Sequence, residues 1–387
     1  MSERSFQGYE RPDGSIGVRN HLLILSITGL TGPTARRIGR SIPGARVFAM
    51  PFGSGIVGED YDLHRRSLIG LGRNPNVGAV LLIGGHPPQV AEFAQTISET
   101  GKPVVALTLD ECGHDALTLT DRGLRAAAGL ARDLSRQRRR PAPLSALFVA
   151  GECGRSDPSS GLVSNPLVGG VVDAVVDSGG RAVIGETMEW FGTVHLLQAR
   201  AADPSVAEAI SEAVRRREDA AIAAGIDLLG DNPGPTNIEA GLSTLEEKAL
   251  GAIAKGGSRP IQGVIGMAEA PPGPGLWFMD APAYAPESMT GMVAAGAQLV
   301  LFTTGAGNSF VNSIAPTIKI SANPDSVDRL NSQIDFEATQ VFEGRRNLAD
   351  AVPDLLDLAM EVASGTMTFG EILDEGEEVV SRMGPAL

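Results

Sequence analysis

The chain has 387 residues, a formal net charge of −14 and only 4% aromatic residues; an acidic surface repels phosphates and too few rings are present for base stacking, so nucleic acid is excluded as a partner. Hydrophobic residues at 43% and charged residues at 20% are the proportions of a globular protein large enough for one or two cores. No apolar run reaches the ~20 residues that span a bilayer, the first residues lack the apolar core of a secretory signal, and two cysteines make no disulfide framework, which points to a cytoplasmic protein with free thiols and no membrane partner.

In chain order, short apolar runs predict strands at 21–27, 46–50, 77–83 and 103–109, and amphipathic stretches predict helices at 31–41, 60–72, 88–100 and 121–137. Asp60 and Asp121 read as N-caps, and His64 as a surface residue within a helix. The basic run Arg136 to Arg140 followed by Pro141-Ala142-Pro143 reads as a linker. Beyond it, strands are expected at 146–150, 182–185, 263–267, 298–303 and 317–320, and helices at 166–178, 205–224, 244–255, 286–295 and 348–364. Thr244 and Glu247 have the spacing of a capping box, and the acidic tail 369–382 reads as a solvated helix. Strand–helix alternation throughout predicts an α/β protein of two Rossmann-like units with mostly parallel sheets. The expected domains are 1–140 and 141–387, the second carrying the Glu-Cys-Gly-x-Ser-Asp and Phe-Thr-Thr-Gly motifs.

The densest concentration of reactive side chains is Gly151-Glu152-Cys153-Gly154-Arg155-Ser156-Asp157-Pro158-Ser159-Ser160-Gly161, closed by Asn165-Pro166. It follows an apolar run, and α/β proteins build their sites at the carboxyl ends of strands. Glu152 and Asp157 are candidate acid–base groups and Cys153 a candidate metal ligand; alternatively, Asp157 merely caps the following helix. A second cluster holds Asp110, Cys112 and His114, with His86 at the end of another predicted strand. The loop from Phe52 to Asp60 offers backbone amides to a small anion, and Thr303-Thr304-Gly305-Ala306-Gly307-Asn308 is a further polar turn after a strand. Lys248 and Lys255 are available to an acidic ligand or are simply surface charge, while Asp280 and Lys319 belong to a site or an ion pair. Gly53-Ser54-Gly55-Ile56-Val57-Gly58 is not a Gly-x-Gly-x-x-Gly in its dinucleotide-binding context, and the Walker A and Gly-x-Ser-x-Gly fingerprints are absent.

Three motifs in order resemble the large catalytic region of the altronate/galactarate dehydratase family. They are Gly8-Tyr9-x-Arg11-Pro12-Asp13-Gly14-x-x-Gly17-Val18-Arg19-Asn20, the Glu152 to Pro166 stretch, and Gly241-Leu242-Ser243-Thr244-x-Glu246-Glu247-Lys248 followed by Phe278-Met279-Asp280 and Phe302-Thr303-Thr304-Gly305. The same family includes the large subunit of sulfolactate sulfo-lyase. The resemblance implies a lyase that eliminates water, or alternatively sulfite, from a small hydroxylated carboxylic acid, with a divalent metal, typically Fe2+. It also implies a small SAF-type domain, expected here as a separate subunit because the chain opens at the first motif; a homo-oligomer is expected too. A non-catalytic small-acid-binding subunit is the third reading. Within that frame Glu152, Asp157 and Lys248 are the expected catalytic groups. Arg19, Ser54, Ser156, Asn165, Thr303, Thr304 and Asn308 are expected to bind substrate, and His86, Cys112 and Cys153 to hold metal. Ser54 and His86 stand where family members commonly carry cysteines; the metal site is therefore altered, shifted to His86 with Cys112 or Cys153, or lost.

Overall fold

The computed structural model describes residues 4–53, 55–226 and 232–383. A four-stranded parallel sheet is ordered Arg46–Ala49, His21–Ser26, Val77–Gly84, Val104–Thr108. Every residue of Val77–Gly84 is buried, as expected of a central parallel strand with helices on both faces. One face packs Ile24, Leu81 and Ile83 against Ile38, Leu119 and Ala127. The other packs Leu23, Leu25 and Val80 into a core that continues through Met289, Met292 and Phe302 of the second half of the chain. Helices Gly58–Arg73 and Ala285–Ala294 meet closely there: a Cβ on Gly70 would lie 2.2 Å from the carbonyl oxygen of Ala294. The halves therefore share a core.

The second sheet has seven strands, all parallel, ordered Ile261–Gly266, Gly275–Asp280, Arg181–Ile184, Phe148–Cys153, Leu299–Thr303, Thr317–Ser321, Phe336–Glu337. From Phe148–Cys153 the chain builds outward first on one side and later on the other. Such a reversal opens a crevice at the carboxyl ends of the strands, where α/β sheets bind ligands. The predicted α/β class with parallel sheets is what the fold shows. The strand Gly275–Asp280 was not predicted.

Several local expectations are corrected. The linker is partly a strand: Arg140–Pro143 pairs antiparallel with Ser5–Glu10, burying Ala142 beside Phe6. Proline is tolerated because the strand lies at the edge of its three-stranded sheet. Asp121 is not a cap; the helix starts at Ala116, with Asp115 accepting from the amides of Leu117 and Thr118. Helix Gly58–Arg73 begins before Asp60, whose carboxylate accepts from the amide of Met383 at 2.9 Å. Thr244 does cap Glu247, but the Glu247 carboxylate turns to Ser243 instead of closing the box.

The largest correction concerns the tail. Only Phe369–Ile372 is helical. Beyond it the chain bridges to Val311, buries Glu378 and Val380, and reaches the N-terminal half. There the Ser381 carbonyl accepts from Nε2 of His64 at 2.8 Å, so His64 is buried rather than a surface residue. Burial pushes the Glu378 carboxyl up to about 7, against the pull of its hydrogen bonds from Ser313. A raised carboxyl pKa means that the folded state binds the proton more tightly than the unfolded chain. Its stabilising share is full below the ordinary value of 4.5 and is lost as pH rises through 7. Glu378→Gln is therefore expected to remove about 3 kcal/mol of stability loss between pH 5 and 8, measured as the urea midpoint at both pH values. An unchanged pH dependence refutes the assignment. Among the described residues no helix is long and apolar enough to cross a membrane.

Candidate active site

The strand Phe148–Cys153 ends on Glu152 and Cys153, and alternation along the strand sends their side chains to opposite faces. Glu152 is fully buried and accepts from the Ser288 hydroxyl of helix Ala285–Ala294 at 2.7 Å. The neighbouring strand Arg181–Ile184 ends on Gly185-Glu186, and Glu186 adopts a left-handed φ of 64°. A non-glycine residue held there stores strain that packing must maintain. The turn delivers Glu186 and, three residues on, Glu189 to the same space. Glu186 Oε2 accepts from the Cys153 amide at 3.2 Å, and Glu189 Oε2 lies 3.2 Å from Cys153 Sγ.

Two lysines close the group. Lys255 enters from the short helical turn Ala254–Gly256, with its side chain 1% exposed. Its ammonium lies 2.8 Å from Cys153 Sγ, contacts Glu186 directly, and is 3.8 Å from Glu189. Lys248, on helix Leu245–Ile253, pairs with Glu189 Oε1 at 3.2 Å and donates to Asn232 at 2.7 Å.

The electrostatics follow from burial. Burial and the adjacent Glu186 push the Glu152 carboxyl well up, so Glu152 keeps its proton. Its Oε1 has no hydrogen-bond partner among the described residues, while its Oε2 is held by Ser288. Burial and Glu189 raise Glu186 as well, opposed by Lys255. Burial, Glu186 and Glu189 drive the Cys153 thiol well up, so it is a thiol at neutral pH. For Glu189 burial is outweighed by Lys248 and Lys255, and its pKa falls. For Lys248 and Lys255 burial is outweighed by the acidic groups around them, and both are raised. The two ammonium groups thus face Glu186 and Glu189 across the buried cluster, Lys255 against both and Lys248 against Glu189.

Cys153, Glu186, Glu189 and Lys248 form one wall of a cavity of about 270 Å³. Arg155, Ser156, Thr236 and Asn237 line the rest of its mouth. Cys153 Sγ and one oxygen each from Glu186 and Glu189 lie within 4.8 Å of one another, the one cluster among the described residues that could hold a metal ion. A thiolate and two carboxylates are suitable donors for a divalent cation such as Fe2+ or Zn2+. The ammonium of Lys255 already sits against the same three donors, however, so they do not fit such an ion beside a charged Lys255.

Of the residues expected from sequence, Glu152, Cys153, Ser156 and Lys248 come together here. Asp157 lies in the next turn with its oxygens taken by Ser159, Ser160 and Asn323. That is the capping role, and Asp157 is not among the cavity-lining residues. Asn165 and Thr303 bond to each other at 2.5 Å beneath the strand ends. Thr304 accepts from the Gly307 amide, and Asn308 from the Phe310 amide, beside Gly154. Arg19 is corrected to a clamp: its guanidinium binds Glu371 and the carbonyls of Val18, Val362 and Thr366. No donor remains for a substrate. His86 is exposed and bonds to Asp110 at 2.8 Å, and Cys112 packs in the core of the four-stranded sheet, so neither joins Cys153. Ser54 lies outside the described residues. Asp280 and Lys319 prove to be ion-pair residues, with Arg216, Arg217 and Glu375. Sequence reasoning missed Glu186 and Glu189; the available signal was Gly185-Glu186 directly after an apolar run.

Residues 144–386 match the family described as D-galactarate/Altronate dehydratase, C-terminal, and residues 8–135 match D-galactarate dehydratase/Altronate hydrolase, second domain. The (2R)-sulfolactate sulfo-lyase subunit beta of Chromohalobacter salexigens is 38% identical over 99% of this chain and 98% of its own. The altronate dehydratase of Escherichia coli K12 is 31% identical over 100% of this chain and 79% of its own. The galactarate dehydratase (L-threo-forming) of the same organism is 27% identical over 93% of this chain and 73% of its own.

Proposed function

This chain belongs to the D-galactarate/altronate dehydratase family of lyases, and we propose that the cavity beside Cys153 is where it eliminates water from a small hydroxylated carboxylic acid. The observation that carries this reading is the Glu189–Lys248 pair on the cavity wall, a carboxylate and an ammonium 3.2 Å apart. Glu189 takes the proton next to the substrate carboxylate. The electrons of that C–H bond form the new double bond and expel the hydroxyl, which leaves as water with a proton from Lys248. Glu189 then returns its proton to Lys248 directly. Each group is in the form its step requires, because Glu189 is held ionised and Lys248 held protonated. Behind them Lys255 and Glu152 hold Glu186, which lines the same wall, and do not themselves touch substrate. The family's Fe2+ would contribute Lewis-acid polarisation of a substrate oxygen, but since the trio does not fit it beside Lys255, no step here runs through it.

A second reading is favoured by the 38% identity to a sulfo-lyase subunit across nearly the full length of both chains. Sulfite leaves as a stable anion and needs no general acid, so the same wall would serve with Glu189 alone. Under that reading a second, smaller subunit completes the enzyme. Incubation with altronate, galactarate and (2R)-sulfolactate, following 2-keto acid and sulfite, tests both. A 2-keto acid without sulfite supports water elimination, sulfite supports the second reading, and no product from any of the three with the smaller subunit and Fe2+ supplied refutes the lyase assignment.

A further inference from the structure

Arg155 is the cavity-lining residue whose place needs most explanation. It has a φ of 55°, the left-handed region, immediately after Gly154. A residue with a Cβ costs about 1 kcal/mol or more there, and glycine almost nothing. The conformation is imposed by the neighbouring strand's turn, because the Arg155 carbonyl accepts from the amides of Gly305 and Ala306 at 3.2 and 3.0 Å. The backbone contacts explain the turn but not the arginine, since they would be the same with glycine. The guanidinium is exposed at the cavity and has no hydrogen-bond or ion-pair partner among the described residues. On a chain of net charge −14 an uncommitted arginine over a polar cavity is unusual. Lys248, the other cation lining the cavity, is committed to Glu189 and Asn232.

The charge layout gives the substrate a direction. The inner wall presents Glu186 and Glu189, which repel an anionic head group, while the rim presents the free guanidinium. An acid with its C–H at Glu189 therefore places its anionic group outward. Guanidinium is the side chain best matched to a carboxylate or sulfonate, which it grips through two parallel N–H bonds. We infer that Arg155 anchors the anionic head group of the substrate and so sets which acids the cavity accepts. This rests on the lyase reading of the same cavity.

Equilibrium binding separates the two claims. Altronate and (2R)-sulfolactate are titrated calorimetrically into the wild type, Arg155→Gly and Arg155→Lys, and KM and kcat are measured with whichever acid is turned over. Arg155→Gly is expected to weaken binding and raise KM by about 10- to 100-fold, the range of a charge-assisted hydrogen-bond pair, with kcat changed by less than about threefold. Arg155→Lys is expected to fall between. The melting temperature of Arg155→Gly should be no lower than wild type, because glycine relieves the φ strain; a merely structural arginine would lower it. A loss of affinity for sulfolactate alone identifies the sulfonate as the anchored group, and a comparable loss for both acids identifies the carboxylate that both carry. Unchanged affinity in Arg155→Gly, or no saturable binding of either acid by the wild type, overturns the proposal. Binding without turnover, with the smaller subunit and Fe2+ supplied, overturns the lyase reading and leaves Arg155 as the anchor.

Discussion

Lys248→Met is expected to lower kcat for water elimination by about 10²- to 10⁴-fold, the usual contribution of a positioned general acid. Methionine keeps the stem of the side chain, which is 13% exposed, so the loss should appear in kcat more than in folding. The variant also changes the pH profile in a direction that can be worked out. Burial favours protonated Glu189, and Lys248 is the largest of the influences that keep it ionised, followed by Lys255. Removing Lys248 raises the Glu189 pKa. Glu189 acts as its conjugate base, so the acidic limb of the residual rate profile must move to higher pH. A limb that stays put, with activity reduced only uniformly, would show that Glu189 is not the base. Sulfite release provides an internal control. It needs no proton from Lys248, so the same variant should lose much less activity towards a sulfonated acid than towards a hydroxy acid.

The Glu152 to Gly161 stretch was legible as a site because its polar density exceeds what a turn requires, and the strand Phe148–Cys153 does end there. Lys248 was legible as a free cation behind a capped helix start. Their partners were not, for a physical reason. Parallel strands are neighbours only through long crossovers, so Glu186 meets Cys153 across 33 residues and Lys255 meets it across 102. Nothing local marks either residue apart from a Gly-Glu pair after a strand. The opposite error arose with Asp157 and Arg19, which are polar and lie in recognisable motifs but spend their bonding capacity on the fold. Motif membership cannot separate an oxygen that faces a cavity from one already accepting several hydrogen bonds. The acidic tail misled because composition was read without partners. Glu378 is buried on Ser313 and Asp60 receives the amide of Met383, so charge count alone did not predict exposure.

Lys255→Met is the substitution expected to destabilise the protein most. The ammonium is 1% exposed and contacts a carboxylate and a thiol, with a second carboxylate at 3.8 Å. Removing one partner of a buried charge cluster costs about 3–5 kcal/mol, because the remaining charges are left uncompensated. Urea unfolding should show that loss at neutral pH. It should shrink towards acidic pH as Glu186 and Glu189 take up protons. The same deletion turns the trio into a different object. Without the ammonium, Cys153 Sγ and the oxygens of Glu186 and Glu189 are three converging donors within 4.8 Å, and the cation left paired with them is Lys248, on the other oxygen of Glu189. A divalent ion would supply the missing positive charge and displace the thiol proton, so its binding must tighten as pH rises. Co2+ or Zn2+ is therefore expected to restore much of the lost stability in Lys255→Met, whereas Na+ is not, and Co2+ should give a thiolate charge-transfer band that disappears in a Lys255→Met/Cys153→Ser double variant. The wild type should show neither effect. A wild-type chain that binds Co2+ through Cys153 as tightly as the variant would mean that Lys255 yields its place, and that the cluster is a metal site after all.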